Sequence, residues 1–174
     1  MSDLNGKTIA IISTNGFEDS ELTSPKEAVE SAGAATKIVS TETGEIEGKK
    51  GAKVAVDAKT ADASADEFDA LILPGGTINA DTIRTDADAV ALVKAFKDAG
   101  KPIGVICHGG WILADADLLK GVKLTSVANV KTDLANAGAN WVDEEVVVDS
   151  GFISSRTPDD LPAFNAKLIE EFAK

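Results

Sequence analysis

The chain has few side chains that can react: its 174 residues include one cysteine, one histidine and no tyrosine. A lone cysteine excludes an internal disulfide framework, and one cysteine with one histidine cannot build a zinc site of the Cys/His type. The sequence also lacks the GxxxxGK[ST], GxGxxG and HExxH motifs, so we expect no metal and no cofactor. Nucleophilic sulfur chemistry is therefore restricted to Cys107 and imidazole chemistry to His108.

Basic residues and long hydrophobic runs are also scarce. The 17 basic and 29 acidic residues give a net charge of -12. Such a chain repels phosphate backbones, which argues against a duplex nucleic-acid scaffold as a partner. No run approaches the roughly 18 apolar residues of a membrane helix, and the N-terminus is polar. We expect a cytoplasmic protein with no membrane partner, in which the thiol stays reduced.

Short apolar runs, rich in β-branched residues, alternate with longer amphipathic stretches. This alternation predicts an α/β fold with a mainly parallel sheet covered on both faces. The length predicts one domain over residues 1–174. A polar, glycine-punctuated segment at 41–59 predicts turns and a short hairpin. The predicted strands are 8–12, 35–39, 69–73, 102–106, 123–127, 146–148 and 152–155. The predicted helices are 25–32, 87–99, 111–119, 130–136 and 159–172.

The segment 105–110 carries the clearest chemical signal, because a buried strand runs into Cys107, His108 and two glycines. This order is typical of a nucleophile elbow, which presents its side chain at the carboxyl edge of the sheet. The following helix N-terminus is expected to lower the pKa of the thiol. The alternative is a small, buried, unreactive cysteine. Since adjacent residues rarely face each other, we expect a group other than His108 to tune the thiol.

Two other loops are expected at the same edge. Glu18 follows the first strand and can be a site carboxyl, whereas Asp19 and Glu21 suit the first turn of a helix, where they complement its dipole. Gly75 and Gly76 follow the third predicted strand and let backbone N–H groups approach a ligand, or simply form a tight turn. The i, i+3 spacing of Asp81 and Arg84 predicts a solvated ion pair.

These segments together resemble the PfpI family of intracellular proteases and general stress proteins, in the superfamily that includes the parkinsonism-associated protein deglycase. The matching stretches cover nearly the whole chain in the family's order. They are residues 16–22, 73–76, 101–109, 136–139, 141–149 and 155–164. The resemblance implies a flavodoxin-like three-layer sandwich akin to class I glutamine amidotransferases, assembled as a homodimer or hexamer.

The resemblance also implies roles for individual residues. Cys107 would be the nucleophile and Glu18 the carboxyl that hydrogen-bonds the thiol. Backbone N–H groups around Gly75, Gly76, His108 and Gly109 would form an oxyanion pocket. Asp81 matches the position from which a neighbouring subunit supplies an acid to the histidine. Two departures stand out: Asp81 is shorter than the glutamate often found there, and Gly110-Trp111 replaces a proline-containing pair.

The role implied for Glu18 has a physical consequence. An ionised carboxylate would oppose a thiolate, whereas a protonated one can donate a hydrogen bond to it. We therefore expect Glu18 to be buried and neutral.

Three functions fit these expectations. The first is a cysteine-dependent stress enzyme acting on reactive carbonyls, of glyoxalase or deglycase type, with a small aldehyde or a glycated protein or peptide as substrate. The second is an intracellular cysteine peptidase that uses Cys107, His108 and a neighbouring subunit's acid. The third is a redox sensor or chaperone in which Cys107 oxidises, with no second cysteine to form an internal disulfide.

Overall fold

The structure, a computed structural model, describes residues 3–174. The strands are β1 (Thr8–Ile12), β2 (Ala35–Ser40), β3 (Glu45–Glu47), β4 (Lys53–Ala55), β5 (Ala58–Lys59), β6 (Ala70–Leu73), β7 (Ile103–Ile106), β8 (Lys123–Leu124), β9 (Asn140–Trp141), β10 (Val147–Asp149) and β11 (Phe152–Ser155). The helices are α1 (Asp19–Ser31), α2 (Thr77–Ile83), α3 (Ala87–Asp98), α4 (Trp111–Asp115), α5 (Lys131–Asn136) and α6 (Leu161–Phe172).

Seven strands form the central sheet in the order β10-β11-β7-β6-β1-β2-β5, and only β10 is antiparallel to its neighbour. Alternate residues of β1 belong to two different apolar clusters, Ala10 and Ile12 to one and Ile9 and Ile11 to the other. Helices α1 and α6 cover the second cluster, and α3, α4 and α5 cover the first. The predicted flavodoxin-like, three-layer, mainly parallel architecture is confirmed.

The strand order brings the loops after β1, β6 and β7 together at one edge of the sheet. The parallel strands β2-β1-β6-β7-β11 follow the 2-1-3-4-5 order of doubly wound sheets, in which ligands bind where the order reverses. Here the reversal lies between β1 and β6, so the loops after these strands face each other. The loop after β7 is the next one along the same edge.

Two small sheets lie outside the central one. The predicted hairpin is present as the antiparallel pair β3–β4, whereas β8 pairs with β9 in a second two-stranded sheet. The predicted strand at 123–127 is therefore shorter than expected and lies outside the main sheet. None of the helices between residues 3 and 174 is long and apolar enough to cross a membrane.

Helix α1 begins six residues earlier than predicted, at Asp19, and Pro25 lies inside it. Proline lacks the N–H that would bond to the carbonyl of Glu21, four residues before it. The helix continues nevertheless because its buried face extends back through Pro25 to Glu21 and Leu22. This early start brings Glu21 into the interior of the protein.

Candidate active site

The segment 107–110 forms a tight elbow after β7. Cys107 has a φ of +60°, a left-handed conformation that side-chain-bearing residues rarely adopt. A 3-10 turn, Cys107–Gly110, follows and leads into α4. Gly109 makes this turn possible, because a Cβ there would lie 2.6 Å from the carbonyl oxygen of Leu73. The strained, half-buried cysteine is the geometry that the sequence predicts for an elbow.

His108 contacts the thiol, although the two residues are adjacent. Its Nδ1 lies 3.3 Å from Sγ of Cys107, and its Nε2 lies 3.3 Å from Oγ1 of Thr77. The edge of its ring packs against Trp111 at 5.4 Å between centroids. Burial, and then the charge of Lys49, lower the pKa of His108 below 6.5. The imidazole is thus neutral at pH 7 and able to accept a proton. The adjacent ring does contact the sulfur, and a second group, Glu21, also acts on the thiol, as expected.

Glu21 is the carboxyl that lies beside the thiol. Its side chain is fully buried at the start of α1, and neither carboxyl oxygen has a well-formed hydrogen bond within residues 3–174. Burial, and then the charge of Glu18, raise the pKa of Glu21 to about 7, against smaller opposing effects of the Cys107 thiol and the Gly75 amide. Glu21 therefore changes protonation state near neutral pH.

The structure contradicts the role expected for Glu18. Its side chain is buried, as predicted, but its carboxylate binds Nζ of Lys49 and of Lys50 rather than the thiol. Burial raises the pKa of Glu18, but hydrogen bonds and charges from the two lysines outweigh it and lower the pKa overall. Glu18 is consequently ionised at neutral pH, and the carboxyl of the site whose pKa lies near neutrality is Glu21.

The thiol is not activated by the helix end in the way the sequence suggests. Burial, and then the negative charge of Glu21, raise the pKa of Cys107, while the backbone N–H groups of His108 and Gly76 lower it less. Helix α4 has only five residues, so its dipole is small. Because the repulsion comes from ionised Glu21, protonation of Glu21 removes it and favours the thiolate.

Gly75, Gly76 and Gly109, which are predicted to form an oxyanion pocket, have different roles in the structure. The Gly76 amide faces the sulfur, as expected for an oxyanion donor. The Gly75 amide faces Glu21 instead. A Cβ at Gly75 would overlap Oε1 of Glu21 and lie 2.8 Å from Cβ of Cys107. Gly109 permits the turn after β7 to lie against the backbone at the end of β6. The glycines thus allow the carboxyl and the thiol to approach each other closely.

Asp81 forms no hydrogen bond or ion pair with His108 within the described part of one chain. Its side chain is exposed on α2 and has no hydrogen bond or ion pair to any part of residues 3–174. Arg84 pairs with Asp115 at 2.6 Å, rather than with Asp81, and its guanidinium lies over the Trp111 ring. The expected Asp81–Arg84 pair is therefore absent. A contact from Asp81 to a second copy of the chain stays a prediction.

Sequence reasoning missed two residues of the site, Glu21 and Thr77. Glu21 precedes Pro25 and Val29 at spacings of four, so it continues the buried stripe of α1. A helix-period count extended toward the N-terminus would have separated it from Asp19. Thr77 occupies the first position of α2, directly after the Gly75-Gly76 turn at the same sheet edge. Nothing local in the sequence distinguishes Thr77.

Comparison with known proteins extends this description. The family model for the DJ-1/PfpI family matches residues 7–171. "Uncharacterized protein SSP0918" of Staphylococcus saprophyticus is 50% identical over 168 residues, 95% of this chain and 97% of that protein. The Bacillus subtilis protein named "Putative cysteine protease YraA" is 47% identical over 164 residues, 94% of this chain and 96% of the other.

A solved structure shares the fold closely. A two-domain protein from Anabaena variabilis, with DJ-1/ThiJ/PfpI-like and ferritin-like domains, superposes with a TM-score of 0.92 at 33% identity. The match covers 94% of this chain and 49% of that one, so this chain spans about half its length.

Fold and site together define a class: a doubly wound α/β protein with a cysteine on a strained elbow beside a buried carboxyl. Within this class, the family model spanning residues 7–171 and the two full-length relatives decide the assignment. The chain belongs to the DJ-1/PfpI family.

Proposed function

We propose that the protein is a cysteine-dependent enzyme that converts small reactive carbonyl compounds, such as methylglyoxal or its early adducts on proteins. One observation carries the proposal: the Cys107 thiol lies between two groups that can exchange protons near pH 7. Glu21 titrates at about 7, and His108 is neutral with Nδ1 at 3.3 Å from the sulfur. Groups with pKa values near the working pH are the effective general acids and bases.

The first step would be attack of Cys107 on the aldehyde carbon. The S–C bond forms, the C=O π bond breaks, and the carbonyl oxygen takes up a proton to complete a hemithioacetal. The thiol proton passes to Glu21 or His108, and the same pair returns a proton to the oxygen. The N–H groups of Gly76 and His108, which face the sulfur, would stabilise the developing oxyanion.

For methylglyoxal, the second stage would move one proton. A base removes the C–H proton of the hemithioacetal, giving an enediol, and reprotonation at the neighbouring carbon gives a thioester of lactate. Water then attacks the thioester, the C–S bond breaks, and the sulfur recovers a proton. The net reaction adds one water to methylglyoxal and gives lactate, with no external oxidant or reductant.

Lactate formation from methylglyoxal tests this proposal. Wild type should form lactate, and Cys107→Ala, purified identically to control for contaminating enzymes, should give only the uncatalysed rate. Circular dichroism and thermal unfolding establish that the variant is folded. Equal lactate formation by the two proteins would overturn the proposal.

The name of the Bacillus subtilis relative favours a second candidate, a cysteine peptidase using the same sulfur. A peptidase needs an oriented histidine, and here Nε2 of His108 meets the neutral hydroxyl of Thr77. An acid would have to come from Asp81 of another copy, in the homodimer or hexamer that the resemblance implies. Peptide turnover with an acyl-enzyme mass on Cys107, lost in Asp81→Ala, would support this candidate. Turnover retained in that variant would contradict the role of Asp81.

A further inference from the structure

A single buried side chain, Asn79, holds the turn that follows β6. Asn79 is the third residue of α2 and is only 2% exposed. Its Nδ2 donates to the Pro74 carbonyl at 3.2 Å and to the Gly75 carbonyl at 3.0 Å. Its Oδ1 accepts from the Thr14 amide, in the loop after β1, at 2.7 Å. One side chain therefore joins the two loops that face each other where the strand order reverses.

The chemistry of this position suits asparagine. The Thr14 amide can only donate and the two carbonyls can only accept, so the bridging group must offer one acceptor and two donors. A side-chain amide provides that set, whereas an ionised carboxylate has no donor and a hydroxyl has one. The Gly75 carbonyl also accepts from the Glu18 amide, at the longer distance of 3.3 Å. Only one orientation of the Asn79 amide satisfies its three partners, so that orientation is fixed.

The two carbonyls held by this amide decide where two N–H groups point. Both peptide bonds are trans, and in a trans peptide the C=O and N–H bonds share one plane and point in opposite directions. With the Pro74 carbonyl turned toward α2, the N–H of Gly75 points the other way, to Glu21. With the Gly75 carbonyl turned the same way, the N–H of Gly76 points to Cys107.

The turn lies in direct contact with the carboxyl and the elbow. A Cβ at Gly75 would overlap Oε1 of Glu21 and lie 2.8 Å from Cβ of Cys107. A Cβ at Gly109 would lie 3.0 Å from the carbonyl oxygen of Pro74. Hydrogen bonds weaken steeply as their angle departs from linear, so at this range a small rotation of either peptide plane weakens what its N–H can do.

We propose that Asn79 is a positioning residue of the Cys107 site, which aims the N–H group of Gly76 at the sulfur and that of Gly75 at Glu21. Asn79 acts through the backbone, since its amide bonds only to backbone groups. In the proposed reaction, the Gly76 N–H would stabilise the oxyanion, and the Gly75 N–H would face the carboxyl that exchanges the proton. The inference rests on the proposed function only in taking Cys107 as the reacting atom.

Amide NMR of the protein labelled at its 15 glycines tests the orientation of the two N–H groups. The Gly75 and Gly76 signals should move between about pH 5 and about pH 9, as Glu21 loses its proton beside them. In Asn79→Ala the peptide planes are no longer held, so this displacement should be less than about half that of wild type. A displacement in Asn79→Ala as large as in wild type would overturn the inference.

The kinetic test separates positioning from substrate binding. An oxyanion donor acts mainly in the transition state, and removing one lowers kcat by about 100-fold or more. Asn79→Ala leaves the donor in the chain but loosens it. The kcat for methylglyoxal should therefore fall at least about tenfold, while KM stays within about twofold. An unchanged kcat, or an effect that lies wholly in KM, would contradict the role of Asn79.

Thr60→Val is the matched control for the loss of a buried hydrogen bond. Thr60 is 5% exposed, and its hydroxyl donates to the Asp86 carboxylate at 2.6 Å. It directly follows β5, and the strands β2, β1 and β6 lie between β5 and β7. This variant should keep the wild-type kcat and the wild-type displacement of the glycine signals. Equal losses in Thr60→Val and Asn79→Ala would assign the effect to stability alone and overturn the inference.

A second variant and the NMR readout keep the inference separable from the proposed function. Asn79→Ser keeps a polar group that is too short to bridge the two loops, and it should give the same losses if Asn79→Ala fails to fold. The NMR measurement needs no turnover. If wild type formed no lactate but the Asn79 variants lost the glycine displacement, the proposed function would be rejected and the inference retained.

Discussion

Glu18 and Glu21 lie three residues apart and have opposite surroundings. Glu18 faces the hairpin, where two lysines bind its carboxylate and lower its pKa. Glu21 faces the interior, where burial without a well-formed hydrogen bond raises its pKa to about 7. Both side chains are almost fully inaccessible to solvent. The difference comes from the partners that burial leaves to each carboxyl, and it assigns Glu18 to a structural ion pair and Glu21 to the thiol.

The two carboxyls can also do different things for the thiol. A carboxyl held ionised by lysines cannot exchange a proton with the thiol at neutral pH, but it can hold the hairpin and Lys49 in place. A carboxyl that titrates at about 7 can take the thiol proton and return it. In the proposed mechanism, Glu18 would hold the hairpin in place and Glu21 would transfer the proton.

The largest expected effect separates the two carboxyls by activity. Glu21→Gln removes the proton exchanger while keeping the shape, and should lower kcat for methylglyoxal by about 100-fold or more. Glu18→Gln keeps Glu21 intact and should lower it by less than about tenfold, since the exposed lysines contribute modestly. Lactate formation at pH 7 measures both. A larger loss in Glu18→Gln than in Glu21→Gln would reverse the assignment of the two carboxyls.

The next effect concerns stability. Between about pH 4.5 and pH 7 the unfolded chain has released the Glu21 proton and the folded chain still holds it, so stability falls as pH rises through this window. Glu21→Gln should remove that fall and stabilise the protein at pH 8 by roughly 3 kcal/mol, from 1.36 kcal/mol per pKa unit.

Urea unfolding of wild type and Glu21→Gln at pH 4.5, 6 and 8 measures this difference. Glu18→Gln supplies the control and should show the opposite sign. Its lowered pKa stabilises the fold above the unfolded value, and this contribution disappears on acidification. We expect it to lose at most about 1 kcal/mol at pH 8. Parallel stability profiles for the two variants would contradict the contrast between the carboxyls.

The smallest expected change in kcat is that of a Thr77 variant. It tests whether His108 shares the proton transfer with Glu21. Thr77→Val removes the hydroxyl 3.3 Å from Nε2 while keeping the size of the side chain. Losing one neutral hydrogen bond is worth about 1 kcal/mol, so kcat should fall roughly fivefold. The Thr77→Ser variant should retain the wild-type rate. A fall in Thr77→Ser equal to that in Thr77→Val would show that the hydroxyl is not responsible.

The architecture could be predicted from the sequence because its signals are local. Residues 8–12 and 103–106 are short, mostly apolar runs, which are typical of a strand buried between two layers. Boundaries were harder: the early start of α1 was missed because Pro25 at a plausible first position suggested a helix start there. With the helix expected to begin at Pro25, nothing placed Glu21 on a buried helix face, and the family resemblance implied Glu18 as the site carboxyl.

By itself, the sequence determined the fold class, the elbow at Cys107 and the sheet edge at which the chemistry lies. These follow from short-range order: apolar periodicity, glycine positions and the sequence of elements along the chain. Only the tertiary structure decided which carboxyl meets the thiol, that His108 turns toward it, and that Lys49 and Lys50 bind Glu18. Those features depend on groups brought together across the sheet edge, where burial and charge set each pKa, and spacing along the chain does not encode such distances.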